Sequence, residues 1–157
     1  MASPAPATLS AGSAARLACR GLDVTVNDHP LVTALDFEAR GGQFVAVLGR
    51  NGVGKTLTLH TLAGLRAPAT GSVWLDGREL GQWPGSARAR RLALLPQTTE
   101  DPFPATVFET ALIGRHPHLP FWQWEGPDDL ARAQAALAAV GIADLGARSV
   151  LTLSGGE

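Results

Sequence analysis

Gly49-Arg50-Asn51-Gly52-Val53-Gly54-Lys55-Thr56 decides the reading of this chain. Lys55 is the only lysine among 157 residues, and every other permanently charged cation is arginine. In a composition so biased, arginine serves wherever positive charge is enough, so the lone lysine marks a place where a guanidinium will not serve. The octapeptide fits G-x-x-x-x-G-K-[ST] without a gap. Glycines let the backbone curl until successive N–H groups point at one phosphate, and a following helix adds its positive end. A compact ammonium on a flexible stem reaches phosphate oxygens from inside that curl, where a planar fork is too broad. Thr56 offers a hydroxyl suited to Mg²⁺. All eight residues are therefore candidate nucleotide contacts.

The flanks agree with this reading. Gln43-Phe44-Val45-Ala46-Val47-Leu48 is a continuous apolar run with β-branched members, which predicts a buried parallel strand. Leu57 to Leu65 reads as a helix ending near Gly64, with Pro68 as a stop. The bland alternative is a chance match in a chain with 18 glycines. It does not account for the strand, loop, helix order.

With 45% hydrophobic residues and a net charge of −1, the chain has enough apolar content for one domain with a core. That charge supplies no general field for nucleic acid, which is not expected as a partner. Cys19 is the sole cysteine, so no internal disulfide and no cysteine-based metal site is available. It is expected to be a small apolar filler in a first strand, in a reducing compartment. Residues 1–15 are rich in Ala, Ser and Pro and carry no basic residue, which predicts a disordered leader rather than a secretory signal. No stretch approaches the roughly 20 apolar residues needed to cross a bilayer. Membrane association is thus expected through a partner.

Along the chain, Arg16 to Val26 and Ala34 to Ala39 alternate as strands do, around the turn cluster Asn27-Asp28-His29-Pro30. Gly71 to Gly77 predicts a short strand, Ser86 to Arg91 a short basic helix, and Leu92 to Leu95 a buried strand running into Pro96-Gln97. From Thr106 the period becomes helical, over Val107 to Ile113 and again over Asp128 to Val140, with Pro127 as a helix starter. A Pro- and aromatic-rich segment, His116 to Trp124, lies between them.

Leu153-Ser154-Gly155-Gly156-Glu157 closes the sequence. Taken with the phosphate loop and with Gln97 after an apolar run, in this order and spacing, it makes the chain resemble the ATP-binding subunit of ABC transporters. The resemblance runs from about Arg16 to the last residue. A narrower likeness to importers of iron–siderophore, haem or cobalamin rests on Leu94-Leu95-Pro96-Gln97, Thr106-Val107 and Gly114-Arg115-His116-Pro117-His118. The resemblance implies an α/β fold: a P-loop NTPase core of the ABC type over 16–100, with an N-terminal antiparallel β hairpin and a small α-helical subdomain over about 101–157. It implies that Gly52, Gly54, Lys55 and Thr56 hold the β- and γ-phosphates of ATP and its Mg²⁺, and that Gln97 also reaches the metal. Ser154, Gly155 and Gly156 would cap the γ-phosphate of ATP on a second copy, which implies a head-to-tail dimer. A membrane permease would be the other partner, holding the protein at the cytoplasmic face of the membrane.

Three departures qualify the likeness. The aromatic that stacks on adenine in the family falls at Val26, which covers a purine face without stacking on it. Leu57 stands where many members carry a hydroxyl for the α-phosphate, and Thr58 is expected to point elsewhere on the helix. Nothing in these residues matches the segment that the family places after the signature: the strand with its Asp for magnesium, the catalytic Glu and the switch His. No catalytic residue is therefore assigned, and the expectations are a truncated domain, negligible hydrolysis and an open apolar edge beside the phosphate-loop strand.

Lesser features carry rival readings. His116 and His118 could form half a metal site, but no ligand set completes it in the sequence nearby. Phe121, Trp122 and Trp124 are either core of the helical part or a surface receiving a permease helix. Arg88, Arg90 and Arg91 suit a solvated helix face as well as an anion patch. Two other functions compete with an importer subunit: a soluble ABC ATPase of DNA repair or translation, and a non-catalytic nucleotide-binding or interaction module.

Overall fold

A computed structural model describes residues 16–97 and 104–154. The leader predicted at 1–15 and the signature residues Gly155 and Gly156 lie outside them. The chain divides into two compact units, Met1–Arg88 and Ala89–Glu157.

In the first unit the sheet has four strands: β1 (Leu17–Val26), β2 (His29–Ala39), β3 (Thr70–Leu75) and β4 (Arg78–Glu79), in the order β2-β1-β3-β4 with every pairing antiparallel. The predicted hairpin is β1–β2, but its turn is only two residues long. Asn27 and Asp28 both take positive φ, 47° and 63°, as a primed two-residue turn requires. His29 and Pro30, expected in the turn, therefore open β2 instead. Pro30 is tolerated because β2 is an edge strand of the described sheet.

Central β1 supplies most of the core: Ala18, Cys19, Leu22 and Val24 are buried with Val73, Leu75 and Leu80. Cys19 is fully buried, as expected of a filler, and burial first, then the nearby Asp36, pushes its thiol pKa up. The β1–β3 pairing has no room for a side chain at Gly71, where an added Cβ would stand 2.3 Å from the Gly21 carbonyl oxygen. Asp23 braces three strands. One of its oxygens accepts from the Ala34 N–H at 2.7 Å and the other from the Thr70 hydroxyl at 2.7 Å. Those bonds, the one from Ala34 foremost and that from Thr70 next, hold its carboxyl below the usual carboxylate range.

Helix α1 (Lys55–Leu62) packs against β1 through Thr58, Thr61 and Leu62. It starts two residues before the predicted span and stops at Ala63. Gly64, at φ 74°, lets Leu65 N–H reach the His60 carbonyl at 2.9 Å while its own N–H reaches Thr61. This is the glycine-closed helix end that the sequence signalled. A one-turn helix, α2 (Gly85–Ala89), follows where a short basic helix was expected.

Two expectations fail. Residues 43–48 and 92–95 form no strand, and Phe44, Leu48 and Leu95 are 94%, 88% and 93% exposed. A parallel strand is stable only with a hydrogen-bonded neighbour, and among the described residues none pairs with either run.

The second unit is helical. Helix α3 (Val107–Ile113) begins at a capping box: the Thr106 hydroxyl accepts from Glu109 N–H at 3.2 Å, and the Glu109 carboxylate accepts from Thr106 N–H at 2.7 Å. Helix α4 (Pro127–Ala139) starts with Pro127 as predicted and buries Ala133 and Leu137. Arg115 ties the two helices by donating to Asp129 at 2.8 Å.

Candidate nucleotide-binding site

The loop 49–54 leads straight into α1. Gly54 is the residue before the helix, with φ 97° and ψ 7°, a left-handed conformation that glycine adopts without strain. A Cβ there would come within 3.0 Å of the Leu31 Cβ, so β2 backs the loop closely. Gly52 also has positive φ, 80°, but a Cβ on it would meet nothing within 4 Å. One glycine is thus needed for packing as well as conformation, while the other borders open space.

Lys55 folds its side chain back over the loop. Its ammonium donates to the Gly49 and Arg50 carbonyls, both at 2.7 Å. The chain's single lysine is therefore held across the mouth of the curl by the loop's own backbone. No side chain caps the start of α1, and its first turn carries no acidic residue. The leading N–H groups of the helix are left without a side-chain acceptor, the arrangement that favours an anion.

Of the threonines that follow, Thr56 is exposed. Thr58 is buried, and its hydroxyl donates to the Gly54 carbonyl at 2.9 Å, so it points away from a ligand as its helical position predicted. Leu57 is half-buried.

Val26 ends β1, half-buried and paired with His29 across the hairpin turn. The neighbouring Thr25 carbonyl accepts from the Arg66 guanidinium, which stiffens this end of the strand. Gln97 and Ser154 are exposed residues of the second unit. The packing of Leu31 and Val32 beneath Gly54 was not legible in the sequence, because the loop motif says nothing of which strand lies under it.

His116 pairs with Glu125 at 3.2 Å, and among the described residues no group of three or more His, Cys, Asp or Glu side chains could hold a metal. Phe121, Trp122 and Trp124 are exposed, which overturns the reading of these rings as core.

Residues 32–157 match the ABC transporter family. The chain belongs to that family. It is 43% identical over 141 residues to the hemin import ATP-binding protein HmuV of Myxococcus xanthus, covering 90% of this chain and 52% of that protein. It is 42% identical over 137 residues to HmuV of Pseudomonas entomophila, covering 87% and 52%. To the ferric enterobactin transport ATP-binding protein FepC of Escherichia coli it is 40% identical over 146 residues, covering 92% and 54%. The chain thus spans about half the length of the curated relatives it matches. Among solved structures, an ABC transporter described as of metal-chelate type, in an inward-facing conformation, superposes with a TM-score of 0.72 at 25% identity, covering 90% of this chain and 51% of that one. The cbiO1 component of an ABC transporter complex from Clostridium perfringens shares the fold, with a TM-score of 0.71 at 20% identity over 90% and 57%.

Proposed function

We propose that this ABC-family chain binds Mg-ATP at Gly49–Thr56 and is the ATP-binding part of an energy-coupling subunit of a membrane importer for haem, iron–siderophore or cobalamin. The observation that carries the proposal is Lys55, whose ammonium is drawn over a glycine curl at the uncapped start of a helix. On ATP binding, phosphate oxygens take the place of the Gly49 and Arg50 carbonyls as its partners. The N–H groups of the curl and of the first turn of α1 then hold the β-phosphate. The space beside Gly52 receives the phosphate, and a side chain at that position would fill it.

The residues present fit Mg²⁺. Thr56 sits at the second helical position with its side chain exposed, an oxygen donor at the end of the loop. Magnesium, when bound, would supply charge neutralisation to the phosphates. Thr56 would hold the metal from the loop side. Ser154, Gly155 and Gly156 would contact ATP held by a second ATP-binding subunit, head to tail. A permease would anchor the pair to the inner face of the membrane; among the described residues no helix is long and apolar enough to cross one. Similarity to hemin import and ferric enterobactin transport proteins supports import over a soluble role in repair or translation.

Thermal unfolding with different nucleotides tests the site. Mg-ATP and Mg-ADP are expected to raise the melting temperature in proportion to log concentration, while AMP, which lacks the β-phosphate, leaves it unchanged. Equal stabilisation by AMP would place recognition on the base and sugar and contradict the assignment.

A further inference from the structure

Asn51-Gly52 is the one asparagine–glycine pair in the sequence, and it stands where the loop is least supported. Both residues are exposed. Lys55 draws in the carbonyls of Gly49 and Arg50, and Leu31 backs Gly54, so the two ends of the loop are fixed while its middle is not. Among the described residues none hydrogen-bonds to the Asn51 side chain, and none accepts from the Gly52 N–H. A Cβ on Gly52 would meet nothing within 4 Å, and its φ of 80° is one that glycine leaves and re-enters without strain.

An asparagine in this setting reacts with its own backbone. The Gly52 nitrogen gives up its proton and attacks Cγ of Asn51; a C–N bond forms, and the side-chain nitrogen takes up a proton and leaves as ammonia, giving a cyclic imide. Water then adds to one of the two imide carbonyls. Opening at one side leaves aspartate, and opening at the other leaves isoaspartate, whose main chain runs through the former side chain. Water is the only co-reactant. The step needs a backbone nitrogen free of hydrogen bonding, no side chain on the following residue to crowd the approach, and a backbone able to bring the two atoms together. Asn51-Gly52 meets the first two in its surroundings and the third through glycine's freedom. Asn27, the other asparagine, does not: Asp28 follows it with a side chain, and the β1–β2 turn holds both in the left-handed region at φ 47° and 63°.

We propose that Asn51 is a site of spontaneous deamidation in the folded chain, and that the carboxylate it leaves in the middle of the curl shuts out phosphate. The first half is independent of any ligand; the second rests on the nucleotide site proposed above. Aspartate at position 51 sets like charge against the anion, and isoaspartate also lengthens the main chain by one carbon and takes the N–H groups of the curl out of alignment. The loop therefore carries a slow chemical off switch for anion binding.

Ageing of the 157-residue chain in mildly alkaline buffer, followed by peptide mapping with mass spectrometry, tests the first half. Asn51 is expected to gain the mass that separates an acid from its amide, with isoaspartate detected by enzymatic carboxyl methylation, while Asn27 keeps its amide. Conversion in the folded chain is expected within about a hundredfold of the rate in urea, since access through global unfolding alone would slow it by about a thousandfold or more. Gly52→Ala suppresses conversion and Asn51→Gln removes it; repeating Gly52→Ala in urea separates crowding by the methyl from any change of fold. Calorimetric titration of Mg-ATP into fresh and aged chain reads the second half. The fraction of binding sites lost should match the fraction converted, and Asn51→Asp should weaken binding by about tenfold or more. A greater slowing in the folded chain, conversion at Asn27 ahead of Asn51, or full binding by the aged chain would overturn the proposal. A fresh chain that binds no Mg-ATP would refute the nucleotide site and with it the second half, while the mass measurement decides the first on its own.

Discussion

Gly54→Ala separates the packing role of the loop from its ligand role, because Gly54 and Gly52 both take positive φ and differ in surroundings. Both have positive φ, 97° and 80°, so alanine at either costs about 1–2 kcal/mol in the left-handed region. At Gly54 the new methyl also stands 3.0 Å from the Leu31 Cβ and 3.3 Å from its Cδ1. A Cβ cannot swing aside as a side-chain tip can, so β2 must shift, an overpacking cost of about 1–3 kcal/mol. Gly54→Ala is therefore expected to lose about 2–5 kcal/mol, and Gly52→Ala only about 1–2 kcal/mol. Against a domain stability of about 5–15 kcal/mol, that difference is readily measured. Urea unfolding followed by the half-buried Trp74 of β3 reports the first unit, and the midpoint difference at constant slope gives the separation. Equal midpoint shifts in the two variants would refute the claim that Leu31 backs the loop. Gly52→Ala should nevertheless lose ATP binding, since its methyl points into the space assigned to phosphate.

Other consequences are equally open to measurement. Asp23→Asn should destabilise the sheet at pH 7 by weakening the bonds to Ala34 and Thr70. Because the native carboxyl titrates below its ordinary value of 3.8, that contribution is complete above this pH and is lost as pH falls through the lowered native value, so the urea midpoints of variant and wild type should draw together as pH falls below 3.8; a gap constant with pH would contradict the assignment. Thr106→Ala removes the capping box of α3 and is expected to cost about 0.5–2 kcal/mol, read as faster hydrogen exchange over 107–113 with exchange in β1 unchanged. Val26→Tyr should tighten ATP binding by about 0.5–1.5 kcal/mol through stacking and sharpen preference over nucleotides with altered bases; unchanged affinity in a folded variant would show that position 26 does not face adenine.

Local signals in this sequence translated well into structure. The hairpin strands, the glycine closing α1 and the proline opening α4 depend on residues within a few positions of each other, and each formed where its chemistry required; the capping box of α3, equally local, was not read. The glycine loop leading into α1 was legible for the same reason: its glycines and lysine are contiguous. Residues 43–48 and 92–95 were misread because an apolar run states only what a segment needs, a neighbouring strand and a cover, and not whether they are supplied. The turn at 27–28 was read too long because Asn and Asp tolerate the left-handed region and close the hairpin in two residues, releasing His29 and Pro30 to the strand. Packing between distant segments, such as Leu31 under Gly54, leaves no periodic or motif signal at all.

The central claim is that Lys55 is in this chain for the shape of its charge, and calorimetric titration of Mg-ATP into Lys55→Arg beside the wild type tests it most directly. The ammonium reaches two carbonyls at 2.7 Å within the curl, a place sized for a single nitrogen with rotatable donors rather than for a planar fork. Arginine is expected to abolish binding nearly as completely as Lys55→Ala does, in a chain that remains folded. An arginine variant that binds Mg-ATP like the wild type would contradict the account.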